Sequence, residues 1–328
     1  MTEQSYPPAA QRFIEQLGIQ HPIIGGPMYP CSNPELVAAV SAAGGLGVMQ
    51  PIALTYVHGH EFRAGIRLMR KLTNKPIGMN ALIEKSSQKY QQRMSEWIDI
   101  ALEEGIRFFV TSLGKPDWVA RRVHAVGGLV YHDVTELKWA RIGLDNGADG
   151  LICVNNRAGG HAGSKTLQQL FDELQGLDVP LVCAGGISEA TGFRQALDVG
   201  YAACQLGTRF IASDECIASA VYKRSIIDAD ESDIVLSERI TGVPVSVINT
   251  DYIRRSGLKS GWLARWMLSG NKSKHWMRTL YALKSIWQLK RSSLDESGER
   301  DYWQAGKSVA GIHSIESCDT IMRKLVQS

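Results

Sequence analysis

Between residues 20 and 230 the chain repeats one rhythm: a short run rich in Val, Ile and Leu that closes on Gly or a polar residue, then a longer stretch whose apolar positions recur every three or four residues. Runs of the first kind read as buried strands and stretches of the second as amphipathic helices, so the rhythm is that of βα units. The pattern predicts strands over Ile23–Met28, Leu46–Met49, Ile77–Leu82, Arg107–Leu113, Leu129–Val134, Gly150–Asn155, Leu181–Gly185 and Ala203–Phe210. It predicts helices between them, for instance over Pro34–Ala43, Gln88–Glu104, Glu136–Asn146 and Glu189–Val199.

Eight consecutive βα units favour an α/β fold of the closed (β/α)8 TIM barrel type over a doubly wound sheet, which reverses direction after fewer strands. A dinucleotide fingerprint is also missing. Gly44-Gly45-Leu46-Gly47 precedes a strand instead of following one, so it reads as a helix end and a turn. From about residue 235 the rhythm breaks. The expected organisation is a barrel over 10–234, a C-terminal helical insert or lid over 235–300, and a segment over 301–328 that returns to the barrel.

Charge sharpens this division. The whole chain carries 36 Lys and Arg against 33 Asp and Glu, a formal +3 that points to no nucleic acid partner. Yet Tyr252 to Arg291 holds ten of the basic residues, Trp262, Trp266, Trp276 and Trp287, and no acid, so 26 basic residues face 33 acidic ones elsewhere. The segment suits a lid with a solvated basic face; a homodimer interface would look the same, because Trp and Arg concentrate at interfaces, and an interfacial helix is the remaining alternative. The six cysteines are scattered with no C-x-x-C pair, so buried free thiols are expected. The first residues lack a basic start and apolar run, and no stretch is apolar enough for a membrane span, so a cytoplasmic protein is expected.

Barrels do chemistry at the carboxyl ends of their strands. Here those ends are rich in Gly and polar residues. Ala184-Gly185-Gly186-Ile187 follows the seventh run and Leu206-Gly207-Thr208-Arg209 the eighth. Small residues let backbone N–H groups approach a phosphate, and the last two strands are where barrels commonly build such a site. After the sixth run, His161 lies in the loop Arg157-Ala158-Gly159-Gly160-His161-Ala162-Gly163, with no apolar neighbour to make it a core residue. Its chemistry suits proton transfer or hydrogen bonding to an anion.

These motifs occur in a particular order: Gly26-Pro27-Met28, Ala43-Gly44-Gly45-Leu46-Gly47, Pro76-Ile77-Gly78-Met79-Asn80, Ala158-Gly159-Gly160-His161-Ala162-Gly163, Ala184-Gly185-Gly186-Ile187 and Leu206-Gly207-Thr208-Arg209-Phe210. In that order the chain resembles the nitronate monooxygenase family over residues 10 to 230, with Trp303-Gln304-Ala305-Gly306 near the end, and the FMN-dependent enoyl-acyl-carrier-protein reductases share the same barrel. The resemblance implies FMN at the barrel mouth, with its phosphate on Gly185, Gly186, Gly207 and Thr208. It places the ring near Pro27, Met28 and Asn80, His161 over the reactive face, Gly160 among the cofactor contacts, and Gly306 in the segment that closes the site. The implied reaction oxidises an alkyl nitronate with O2 to a carbonyl compound and nitrite, His161 acting either as base or as hydrogen-bond partner.

The chain departs from the pattern at Arg157, where many relatives carry an acid. Beside a flavin, a guanidinium suits a carboxylate or phosphate on the substrate, whereas an outward-facing or acid-paired arginine would not select substrate. His132, at the end of the fifth run, is a second candidate substrate contact, unless Asp133 holds it in place. His58-Gly59-His60-Glu61 has no evident third ligand, and no metal is expected. Two rival readings stand beside nitronate oxidation: an NAD(P)H-dependent enoyl-thioester reductase, whose acidic carrier or dinucleotide would meet the basic segment, and a non-catalytic barrel that binds a membrane or partner through it.

Overall fold

The computed structural model describes residues 6–84, 88–238, 244–259, 290–294 and 302–327. Eight parallel strands close into a barrel in sequence order: β1 (Ile23–Gly25), β2 (Leu46–Met49), β3 (Ile77–Ile83), β4 (Phe108–Leu113), β5 (Leu129–Val134), β6 (Gly150–Val154), β7 (Leu181–Ala184) and β8 (Ala203–Leu206), which pairs with β1. The fold is the (β/α)8 TIM barrel. Helices Pro34–Ala42, Gln88–Glu103, Leu137–Asp145 and Ala190–Val199 begin and end within two residues of the expected bounds.

Alternation along each strand divides the core in two. Ile24, Leu46, Val48, Phe108, Val110, Tyr131, Ile152, Val182 and Ala203 fill the barrel interior. Their neighbours in sequence, such as Phe109, Leu151, Cys183 and Cys204, face outward into the strand–helix layer. Both sides of every strand are therefore buried, which is why the strands read as nearly continuous apolar runs.

Two strands stop earlier than the apolar pattern suggests. β1 ends at Gly25, ahead of Gly26 and Pro27, and β8 ends at Leu206, after which Thr208–Ile211 coil into a single helical turn. Phe210 and Ile211 are buried as expected, but through that turn. The region after 234 also differs from a purely helical insert: β9 (Ile234–Ser237) and β10 (Val245–Ile248) form an antiparallel ribbon before a short helix, Asp251–Ser256. The four Trp of the basic segment lie outside the described residues. The chain then returns, and helix Cys318–Val326 packs on helices Pro34–Ala42 and Ala190–Val199. Among the described residues no helix is long and apolar enough to cross a membrane.

Candidate active site

Moving around a closed eight-stranded barrel, a level layer climbs about one residue per strand relative to the hydrogen-bonded register. Asn80 pairs with Val110 and Val110 with Tyr131, so the β5 residue level with Asn80 is Asp133. The same stepping adds Gly26 from β1 and Ala184 from β7. This layer sits above the apolar layer of Ile24, Gly78, Tyr131 and Val182 and forms the floor of the mouth. Two of its members are small and two are polar, so the floor is both open and able to hydrogen-bond.

Asn80 is buried, and its Nδ2 donates to the Val110 carbonyl at 3.2 Å, which fixes the amide in the floor. Pro27 and Met28 follow β1 and are half-buried. The Met28 amide donates to Ser32 Oγ at 2.7 Å, and its sulfur reaches toward Gly207, to within 3.5 Å of where a Cβ would sit there. The thioether thus bridges the first and last strands across one side of the mouth.

The glycine loops after β7 and β8 close the other side. Gly185 and Gly186 have φ of 118° and 81°, a region L side chains rarely adopt. A Cβ on Gly185 would also lie 2.5 Å from Asn155 Oδ1 and 2.6 Å from the Ala158 nitrogen. Among the described residues, the N–H groups of Gly185, Gly186, Gly207 and Thr208 donate to no backbone carbonyl. Four free donors on two glycine-bearing loops fit the phosphate of a nucleotide cofactor.

Three further segments lock onto these loops. The Gly306 amide donates to Thr208 Oγ1 at 3.0 Å and the Lys307 amide to the Arg157 carbonyl at 2.9 Å. On the ribbon, the Ser246 amide donates to the Gly160 carbonyl at 2.7 Å, and Val247 bridges to Gln304. The loop that carries His161 is therefore held from above by β10 and from the side by the returning C-terminal segment. His161 itself keeps solvent access at the rim, while the surrounding protein desolvates the ring and lowers its pKa. A neutral imidazole at neutral pH offers one N–H to donate and one free nitrogen to act as base.

Two expectations are corrected. His132 does not reach the mouth: it lies on the outer face of β5, 3% exposed, where a Cβ on Gly143 of helix Leu137–Asp145 would come within 2.9 Å of its ring. Its Nδ1 is 2.9 Å from Thr111 Oγ1, and burial lowers its pKa to about 4, so it is a neutral packing residue. Arg157 borders the site, its side chain lying against Gly186, but its guanidinium is engaged. Nη1 and Nη2 donate to the two Glu231 carboxylate oxygens at 2.8 and 2.7 Å, and Lys307 Nζ stands 3.4 Å from the same carboxylate. A bidentate pair leaves no free fork for an acidic substrate.

Asp133 is the residue that sequence reasoning passed over. It points into the mouth, its Oδ1 is buried with no hydrogen-bond partner, and burial raises its pKa to about 7. Gln205 Oε1, from β8 just below the floor, is likewise buried without a partner. The signal for Asp133 was the period-two alternation itself, which puts it on the Tyr131 side and His132 on the other.

Residues 10–328 match the family model described as nitronate monooxygenase. The chain is 33% identical over 261 residues to the nitronate monooxygenase of Pseudomonas aeruginosa, covering 66% of this chain and 73% of the relative. It is 25% identical to a (3aS,4S,5R,7aS)-5-hydroxy-7a-methyl-1-oxo-octahydro-1H-indene-4-carboxyl-CoA dehydrogenase of Rhodococcus jostii, covering 95% of this chain and 93% of that one. FabK from Thermotoga maritima superposes with a TM-score of 0.79 at 27% identity, over 96% of this chain and 94% of FabK.

Proposed function

Because the chain belongs to the nitronate monooxygenase family of flavin oxidoreductases, we propose that it binds FMN at the barrel mouth and oxidises alkyl nitronates with O2 to a carbonyl compound and nitrite. The observation that carries this reading is the convergence of the unpaired N–H groups of Gly185, Gly186, Gly207 and Thr208 with a neutral His161 above a polar floor. The glycine loops hold the FMN phosphate, Asn80 and Met28 contact the ring, and Gly160 and Gly306 keep the rim closed around it. When bound, FMN supplies the redox chemistry, accepting electrons from substrate and passing them to O2. His161 hydrogen-bonds the nitronate oxygens, and it takes the carbon-bound proton when the substrate is a neutral nitroalkane. With Arg157 tied to Glu231, small uncharged alkyl groups are favoured over acidic ones. Six buried, unpaired cysteines suit a reducing cytoplasmic setting.

A second reading, oxidoreduction of a thioester, is favoured by one observation. The Rhodococcus CoA-thioester dehydrogenase matches nearly the whole chain, including the C-terminal third, whereas the Pseudomonas relative covers 66% of it. Anaerobic titration of the flavin-loaded protein separates the two. An alkyl nitronate is expected to bleach the visible flavin band, and air to restore it with release of nitrite. Bleaching by NAD(P)H or an acyl-CoA alone would overturn the first reading in favour of the second.

A further inference from the structure

A carboxyl group inside a barrel needs a reason, because burying an ionised carboxylate without a partner is costly. Asp133 has none among the described residues: its Oδ1 is buried and unpaired, and burial is the sole cause acting on its ionisation. The groups packed around it confirm that it stands alone. On its own strand, Tyr131 lies below it in the barrel with a phenol that burial keeps protonated, and His132 faces the helices on the opposite side. From β4 and β3 the nearest inward side chains, Val110 and Asn80, carry no charge. From β6, Ile152 is apolar, and the Cys153 thiol, on the outer face, is held neutral by burial. His161, in the loop after β6, is the other titratable group of the mouth.

Asp133 shares the floor layer with Asn80, with only Gly26 and Ala184 completing it. The two side chains stand on strands separated only by β4, a spacing that a fused three-ring system laid over Asn80 can span to reach Asp133. We propose that Asp133 is a hydrogen-bonding contact for the bound flavin, and that it makes this contact as a neutral carboxylic acid donating its O–H to a ring carbonyl oxygen. A ring laid over the floor removes the water that would stabilise a carboxylate, so binding selects the protonated form. Asn80 keeps its Nδ2 on the Val110 carbonyl, so the acid adds a donor on the neighbouring side of the floor. This inference rests on the FMN reading above.

The consequence is a linkage between proton and flavin. Because burial places the free carboxyl near neutrality, raising the pH from 6 to 8 must ionise Asp133 in the apoprotein and weaken FMN binding. FMN affinity is measured by fluorescence quenching of apoprotein from pH 6 to 8 for wild type, Asp133→Asn and Asp133→Leu. The FMN phosphate also titrates in this range, but it is common to all three proteins, so the differences isolate Asp133. Wild type is expected to lose about tenfold in affinity relative to Asp133→Asn as the pH rises, since the amide keeps an N–H donor and cannot ionise. Asp133→Leu, lacking the donor, is expected to bind more weakly than Asp133→Asn at every pH. A pH profile of Asp133→Asn parallel to wild type, or Asp133→Leu binding as tightly as Asp133→Asn, would overturn the proposal while leaving the FMN reading intact. Wild type that takes up no flavin at any pH would overturn both.

Discussion

His132 and Asp133 are adjacent in the chain and opposite in every physical respect. One faces the helices, neutral with its pKa lowered to about 4; the other faces the mouth, its pKa raised to about 7. Their effects on stability have opposite signs. The unfolded chain binds a proton at His132 between about pH 4 and 6.5 that the folded protein refuses, so this contribution is complete above pH 6.5 and is lost as the pH falls toward 4. At Asp133 the folded protein holds a proton that the unfolded chain releases above about pH 4, so stability is lost as the pH rises toward 7. In the flavin-free protein, the melting temperature of Asp133→Asn minus that of wild type is therefore expected to increase from pH 4 to 7. The deficit of His132→Gln should shrink as the pH drops below 6.5. A constant difference across the range for either variant would contradict the burial assigned to that residue. The sequence identified a titratable pair at the end of the fifth strand but chose the wrong member, because side-chain chemistry favoured histidine while strand register decides which residue faces the site.

Among the elements, the single helical turn Thr208–Ile211 holds the site together out of proportion to its length. Thr208 accepts from Gly306, and Arg209, 6% exposed, donates to the carbonyls of Ala212 and Ser314 and to Glu316 Oε2 at 2.7 Å. The apolar pattern carried β8 into this turn as far as Phe210, which is as buried as a strand residue would be; periodicity over four residues cannot tell the two conformations apart. The ribbon β9–β10 escaped notice for the same reason, its strands being four residues each. Arg209→Met should leave Glu316 with only Lys324 and Ser314 on its other oxygen and cost about 2 kcal/mol in urea unfolding. Arg209→Met combined with Glu316→Leu is expected to recover most of that loss, since replacing both charges with apolar groups removes the carboxylate oxygen that lost its buried donor. Recovery would separate the electrostatic role of the pair from simple packing; equal loss in both proteins would assign it to packing.

At the scale of the whole molecule, a parallel barrel buries both faces of every strand, which places Cys153, Cys183 and Cys204, while Cys31, Cys216 and Cys318 are buried in the layer outside it. Cys31, Cys153, Cys183, Cys204, Cys216 and Cys318 are all buried and unpaired, and burial holds the thiols of Cys153, Cys183 and Cys204 well above their ordinary pKa. A bulky disulfide reagent is therefore expected to find no fast-reacting thiol in the native protein and six per chain after denaturation. A rapidly reacting thiol under native conditions would show that the strand–helix layer opens far more readily than its packing implies.

The eight-unit barrel, the glycine loops at Gly185, Gly186 and Gly207, and the loop bearing His161 were all determined by the sequence alone. Strand and helix periodicity and the backbone demands of glycine are local properties, readable along the chain. What tertiary structure decided were relations between distant residues. Arg157 meets Glu231, 74 positions away, and loses its freedom to bind substrate; the ribbon after the barrel pins Gly160; and barrel stagger brings Asp133 level with Asn80. Each depends on how strands are offset around a closed sheet and on where a long return segment docks, and neither quantity is encoded in any stretch short enough to have a periodicity.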